Sequence, residues 1–307
     1  MISILIPYYK IIFFRETLLS LSNQTHQGFQ VYIFDDNSSE SPKELLEEFK
    51  NKFSFTYHKF ENNLGGISLV KHWERCLNLV NNSEWLMILG DDDVLDPNVV
   101  ANFYRKKDEI DSLDINVLRF STEMINEKGI VTSQVYTFPE VEPAIESLMN
   151  KLMGLTRSSL SEYVFRRAKF ADYSFKEFPS ALFTDDILIL EHSSFKNIFT
   201  INSSIIQIRK SSINLSGGAK ISNRYKAILD FYRTLLLDFN SKFNKEQIQY
   251  IENKIEREIF NHKKIEVIVF MMKYYFKHYK FWKLIKLLFT IVSKFPKLIY
   301  LKLSNRT

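Results

Sequence analysis

The chain of 307 residues has one cysteine, Cys76, which excludes an internal disulfide framework and a cysteine-rich zinc site. Cys76 lies in a helical stretch with Trp73, Leu77 and Val80 and reads as a small buried hydrophobe. The eight glycines form neither a P-loop nor a dinucleotide fingerprint. No stretch offers about 18 uninterrupted apolar residues, so no membrane-spanning helix is expected. Met1-Ile2-Ser3-Ile4-Leu5-Ile6-Pro7 lacks a basic leader and reads as a first strand, not a signal peptide. No internal repeat is visible. What is present is ample apolar material: 45% of residues, enough for one large or two modest domains. A cytosolic enzyme is the default expectation.

The net charge of +5 conceals an asymmetry. Residues 262–307 contain eleven Lys/Arg and one acid, a balance of +10, which leaves −5 for the rest. An anionic partner for the tail follows. Over residues 1–120, strand signals (2–6, 30–34, 53–58, 85–89, 115–120) alternate with helical ones (15–22, 42–51, 68–80, 97–110). This rhythm predicts an open, mostly parallel α/β sheet of Rossmann-like type. Residues 121–215 are less regular, with strand-like segments at 131–138, 163–166 and 198–208. Ser216-Gly217-Gly218 marks a linker, and helical patterns follow at 224–239, 245–260 and from 263 onward. Two domains are expected: a catalytic one over 1–215 and a helical, basic C-terminal extension over 216–307.

Acidic clusters follow two of the strands. Asp35-Asp36-Asn37-Ser38 comes after Gln30–Phe34, and Gly90-Asp91-Asp92-Asp93 after Trp85–Leu89. In parallel sheets ligands bind beyond the carboxyl ends of the strands. Three adjacent carboxylates there need donors or a cation, and a hard ion with oxygen ligands, Mg²⁺ or Mn²⁺, would also hold phosphate. Asp35-Asp36 suits either a turn or a pair accepting hydrogen bonds from a nucleobase or ribose. Asp91–Asp93 suits either a loop with Asp96 capping the next helix or, since three acids straight after an apolar strand are costly, metal or phosphate chemistry.

Taken together and in order, these residues resemble glycosyltransferase family 2, nucleotide-sugar-dependent enzymes of the GT-A fold. The matching pieces are Ile4-Leu5-Ile6-Pro7-Tyr8-Tyr9, Leu18–Gln24, Ile33–Ser39, Asn63-Leu64-Gly65-Gly66 and Leu89–Pro97. The resemblance is strong over residues 1–110, weaker to about 215, and does not reach the tail. It implies that Pro7 and Tyr9 line a base pocket, that Asp36 binds the base, by analogy uracil, and that Asp35 supports the loop. Asp92 and Asp93 fall on the later acidic positions of the Asp-x-Asp motif, one for the sugar-nucleotide and one for a divalent cation, Mn²⁺ or Mg²⁺. Gly90 replaces the motif's usual first Asp, with Asp91 as a substitute. In Thr184-Asp185-Asp186 the resemblance implies a general base, Asp186 by better match and Asp185 next; the other reading is a helix N-terminus favouring acids. Arg166-Arg167 would pair with phosphate or with surface acids. Arg209 or Lys210 would compensate for an absent histidine in the diphosphate site. His72 and His192 read as ordinary polar helix residues.

The implied activity is inverting transfer of a sugar from a nucleotide-sugar, UDP-linked, to a saccharide or lipid-linked saccharide hydroxyl, as in bacterial surface polysaccharide synthesis. A catalytically degenerate membrane-bound scaffold and a nucleotidyltransferase are the alternatives; the latter's glycine-rich N-terminal loop is missing. In the tail, Lys273, Lys277 and Lys280 recur along one helical face, and Met272, Tyr275, Tyr279 and Trp282 along another. Such a helix suits an anionic membrane surface, which predicts a cytoplasmic protein peripheral to the inner face of the cell membrane. A solvated helical cap is the plainer reading, and no nucleic-acid recognition motif is found.

Overall fold

β1 (Ile2–Tyr8) is buried along both faces, as its unbroken apolar run requires at the centre of a sheet. It pairs in parallel with β2 (Phe29–Asp35) over its whole length. Its parallel pairing with β4 (Trp85–Ile88) stops at Leu5↔Ile88, so the two strands part towards their carboxyl ends. The Leu5 carbonyl still accepts the Leu89 amide at 2.9 Å. Pro7, two residues on and facing the same side, lies past the end of the ladder, where its missing N–H costs nothing. This computed structural model describes residues 1–80, 83–212, 221–262 and 265–294. The expected linker Ser216-Gly217-Gly218 lies outside them.

The remaining strands are β3 (Phe55–Lys59), β5 (Val94–Leu95), β6 (Val117–Ile125), β7 (Val141–Pro143), β8 (Tyr163–Arg166) and β9 (Asn197–Arg209). They form one nine-stranded sheet in the order β3-β2-β1-β4-β8-β6-β9-β5, with β7 also on β9. β1 to β4, β6 and β9 run one way; β5, β7 and β8 run against them. α1 (Phe14–Ser22), α2 (Lys43–Glu47), α3 (Leu69–Asn78) and α4 (Val99–Ser112) follow the first strands, and α5 (Ala144–Met153) and α6 (Thr184–His192) precede β9. One core joins β1, β2 and β4 to Phe14, Leu18 and Phe103. The segment 131–138, expected as strand, makes only isolated bridges, Thr122↔Tyr136 and Ile125↔Val131.

The chain divides into compact units, Met1–Ile228 and Leu229–Thr307, and α7 (Ile221–Leu237) crosses that boundary. The second unit continues with α8 (Lys245–His262), α9 (Ile265–Lys277) and α10 (Phe281–Lys294). The described part of the tail, residues 265–294, is therefore a hairpin and not one continuous helix: Tyr279 takes a left-handed backbone, φ 56°, between α9 and α10. The two faces read from the sequence are redrawn accordingly. Tyr275 is fully buried and donates to Glu256 at 2.6 Å. Lys280 and Lys283 both close on Glu252 of α8, whose carboxylate is fully buried. Exposed instead are Trp282, Ile285, Phe289 and Val292 along α10, with Phe276 and Tyr279 beside the turn.

Candidate active site

Where β1 and β4 part, a cleft of about 800 Å³ opens beyond the carboxyl ends of the parallel strands. Pro7, Tyr9, Asp36, the acidic run Asp91–Asp93 and the pair Asp185–Asp186 all line it. These residues, as far as 179 positions apart, are brought together as the sheet position predicts.

On the β2 side, Asp35 and Asp36 differ sharply. Asp35 is fully buried; it accepts the Ser38 amide at 2.7 Å and the Tyr57 hydroxyl at 2.6 Å, so it braces the loop. It does not line the cleft, which corrects its place among the donor contacts while retaining the supporting role. Asp36 accepts the Leu64 and Gly65 amides at 2.9 and 2.8 Å and also a guanidinium N–H of Arg75. That uses three of a carboxylate's four acceptor sites and leaves one on Oδ2 for a base N–H. A Cβ on Gly65 would lie 2.5 Å from Asp36 Oδ2, so this approach requires glycine. The exposed ring of Tyr9 and Pro7 flank the same end of the cleft. His72, read as an ordinary helix residue, lies 3.2 Å from Asp36. Burial pushes its pKa down to about 4 against the pull of Asp36, and its Nδ1 accepts Arg75 Nε at 3.1 Å, so the ring is neutral.

At the end of β4 the carboxylate acceptor sites outnumber their donors. Asp91 accepts the Tyr9 and Lys10 amides at 2.8 and 2.9 Å, tying this loop to the loop after β1. Two-residue β5 pairs with β9 and carries the run past Arg209, whose amide donates to Asp93 at 2.9 Å. The Arg209 guanidinium is itself buried: it donates to the Asp92 and Asn126 carbonyls at 2.9 Å each and to Glu16 at 2.5 Å. Arg209 thus holds the acidic loop from behind; Lys210 lines the cleft. Among the described residues the Asp92 side chain has no hydrogen-bond partner beyond its own amide. Burial, with Asp93 and Asp91 alongside, pushes Asp92 up to about 8, and burial lifts Asp91 to about 6. A Cβ at Gly90 would meet Asp93 Oδ2 at 2.9 Å and Asp92 Oδ1 at 3.0 Å, which accounts for glycine at that position.

Across the cleft, Ser180, Ala181 and Phe183 hold left-handed backbone and turn α6 so that Asp185 and Asp186 form its first turn. Asp186 Oδ1 accepts Lys151 Nζ at 2.6 Å, while its Oδ2 is buried without a partner. Burial pushes Asp186 up to about 7, opposed by Lys151 and reinforced by Asp185. Lys151, Arg75 and Arg157, which also lines the cleft, were not singled out from the sequence. Arg166 is not brought to the site. β8 runs antiparallel to β4, so Arg166 pairs with Trp85 at the amino end of β4, where it bonds Asp111 at 2.6 Å. Its neighbour Arg167 donates to the Leu77 carbonyl at 3.3 Å.

Among the described residues, no three His, Cys, Asp or Glu side chains converge as a metal cage. A divalent ion that takes one or two carboxylates and completes its shell with phosphate and water nonetheless suits this loop, because Asp92 is a carboxylate in want of a cation.

A mostly parallel α/β sheet with an acidic loop at the β1/β4 opening and a buried acid facing it defines the GT-A architecture of glycosyltransferases. Solved structures share it: Staphylococcus aureus TarS 1–349 in complex with UDP-GlcNAc superposes with TM-score 0.59 at 17% identity, over 96% of this chain and 91% of that one. GalNAc-T7 with UDP, GalNAc and Mn²⁺ gives 0.56 at 13%, over 96% and 58%. The chain belongs to glycosyl transferase family 2, whose model matches residues 3–160. It is 23% identical over 167 residues to the glycosyltransferase GlyG of Streptococcus pneumoniae serotype 4, across 53% of this chain and 54% of that protein. It is 33% identical over 96 residues to an uncharacterized glycosyltransferase of Mycoplasma pneumoniae, across 29% and 30%. The chain thus spans about half or less of the curated relatives it matches.

Proposed function

We propose that this protein transfers a sugar from a UDP-linked donor to a saccharide hydroxyl with inversion at the anomeric carbon. The observation that carries this reading is the pairing, lining one cleft, of a partly buried carboxylate at Asp92 bonded only by its own amide with an acid at Asp186 whose buried Oδ2 has no partner. The acceptor oxygen bonds to the anomeric carbon as its proton passes to Asp186 Oδ2. The bond from that carbon to the diphosphate breaks, and its electron pair leaves on the nucleoside diphosphate. Asp92, with Asp93 beside it, would hold the Mn²⁺ or Mg²⁺ that offsets charge on the departing diphosphate. Asp36 would take a uracil N–H on its remaining acceptor site, with Tyr9 and Pro7 against the ring. The UDP-GlcNAc of the TarS structure supports a UDP donor. Titrating UDP, GDP and dTDP with and without Mn²⁺ tests the reading: UDP binds best and only with the ion. A folded sample that binds none of them points to the degenerate scaffold instead.

The acceptor, in this reading, sits on a lipid carrier during bacterial surface polysaccharide synthesis, and the protein rests peripherally on the inner face of the cell membrane. Ten large apolar side chains stand exposed on the α9–α10 hairpin, more than a surface left to water usually groups together. Exposed Lys273, Lys277 and Lys286 on the same hairpin fit an anionic bilayer, each contributing about 1 kcal/mol. Co-sedimentation with anionic vesicles is expected for the full chain and is lost on replacing Trp282 and Phe289 by Ala; equal binding by the double variant rejects this part.

A further inference from the structure

Lys151 stands in the last turn of α5, a helix that the sequence does not announce, and it reaches the cleft from the side opposite the acidic loop. Its ammonium lies 2.6 Å from Asp186 Oδ1 and 3.9 Å from Asp185 Oδ2. Taking the general base to be Asp186, as proposed above, we infer that Lys151 is the positioning residue for that base. It fixes one carboxylate oxygen and thereby leaves the other turned to the acceptor hydroxyl.

The neighbouring charges leave this task to Lys151. Arg157, another cation on the cleft wall, is engaged by the Glu162 carboxylate at 2.9 Å and the Thr122 hydroxyl at 2.8 Å. Arg119, behind Glu162, is bonded to Glu142, Ser147 and Thr200. Among the described residues, Lys151 is the only cation hydrogen-bonded to Asp186. From α6 itself Asp185 faces the pair; from the turn before β8 comes Glu162, and from β8 comes Tyr163. These groups are acidic or neutral, so without Lys151 the base would sit among carboxylates in a buried site and would hold its proton. Burial alone would strip the proton from Lys151, but Asp185 and Asp186 outweigh it and raise its pKa, so the ammonium stays charged. A single bond also fixes orientation: Oδ1 is committed, and Oδ2 is the remaining acceptor. A cation that bound donor phosphate instead would not need its ammonium closed on the base.

The test is the pH dependence of kcat/KM for the wild type, Lys151→Met and Lys151→Arg, with UDP affinity measured on each. Lys151→Met is expected to move the acid limb alkaline by about one pH unit or more, lowering kcat/KM near pH 7 by about tenfold. UDP affinity stays within about twofold, which also reports that the variant is folded. Lys151→Arg restores the cation and most of the limb. An unmoved limb in Lys151→Met, or a loss of UDP affinity matching the loss in kcat/KM, overturns the assignment. The parent reading fails separately, if Asp186→Asn keeps normal turnover; an inactive Asp186→Asn beside an unmoved Lys151→Met limb rejects only the role of Lys151.

Discussion

The acidic corners after β2 and β4 look alike as strings of letters and differ in what surrounds them. At Asp35 an amide and a tyrosine hydroxyl engage both oxygens, and at Asp36 two amides and a guanidinium occupy all but one acceptor site. At Asp91–Asp93 the amides of Tyr9, Lys10 and Arg209 and the Ser161 hydroxyl serve Asp91 and Asp93, and Asp92 is left with its own amide. A carboxylate whose hydrogen bonds are complete holds a fold together; one whose bonds are incomplete and which is buried stores a demand for a cation or a proton.

The sharpest way to break this comparison is Asp92→Asn. Metal-dependent UDP binding should weaken by about a hundredfold or more in calorimetry, since second-sphere changes alone cost 10- to 100-fold. The same variant carries a pH signature. Asp91, Asp92 and Asp186 all have folded pKa values, about 6, 8 and 7, above the usual carboxylate value. A raised carboxylate favours the folded state only while protonated, so that contribution is full below about pH 4 and lost as pH rises through the folded values. The Tm of the metal-free protein should therefore fall as pH rises from about 4 to about 8, and fall less steeply in Asp92→Asn. Equal slopes would show that Asp92 carries no such demand.

Asp35→Ala should act in the opposite manner. It strands the Ser38 amide and the Tyr57 hydroxyl and should cost about 2–4 kcal/mol in urea unfolding while sparing the nucleotide contacts. Gly90→Ala comes next in size: its Cβ presses on Asp92 and Asp93, and metal-dependent UDP affinity should drop by about tenfold with little loss of stability. Arg166→Ala is the smallest, with UDP affinity unchanged within about twofold, because Arg166 and its partners Asp111 and Glu84 meet at the amino end of β4, away from the cleft.

What could be read in advance was local. β1, β2 and β4 are continuous apolar runs, and the acids follow them directly, so the sheet and two corners of the site are visible in single segments. The family resemblance added Asp186. What escaped was set by distant pairing. Arg75 reaches Asp36 over 39 positions, Lys151 reaches Asp186 over 35, and Arg209 reaches Asp93 over 116. Arg166 was misjudged because a four-residue strand does not reveal its direction, and β8 runs backwards between parallel neighbours. The break between α9 and α10 went unseen because His278-Tyr279-Lys280 contains none of the residues that usually mark one, and Tyr279 adopts its left-handed backbone regardless.

Glu252 has a practical consequence for anyone who would shorten this protein. Among the described residues its buried carboxylate on α8 finds its cations only beyond the α9–α10 turn, in Lys280 and Lys283, with the Tyr274 hydroxyl of α9 as a neutral donor. A stop codon placed after α8 or α9 would therefore leave a charge sealed in the helical layer with no counterion, and the fragment would unravel from its new end inward. The last three helices stand or fall as a set, so surface substitutions, not truncations, are the tool for finding out what the hairpin touches.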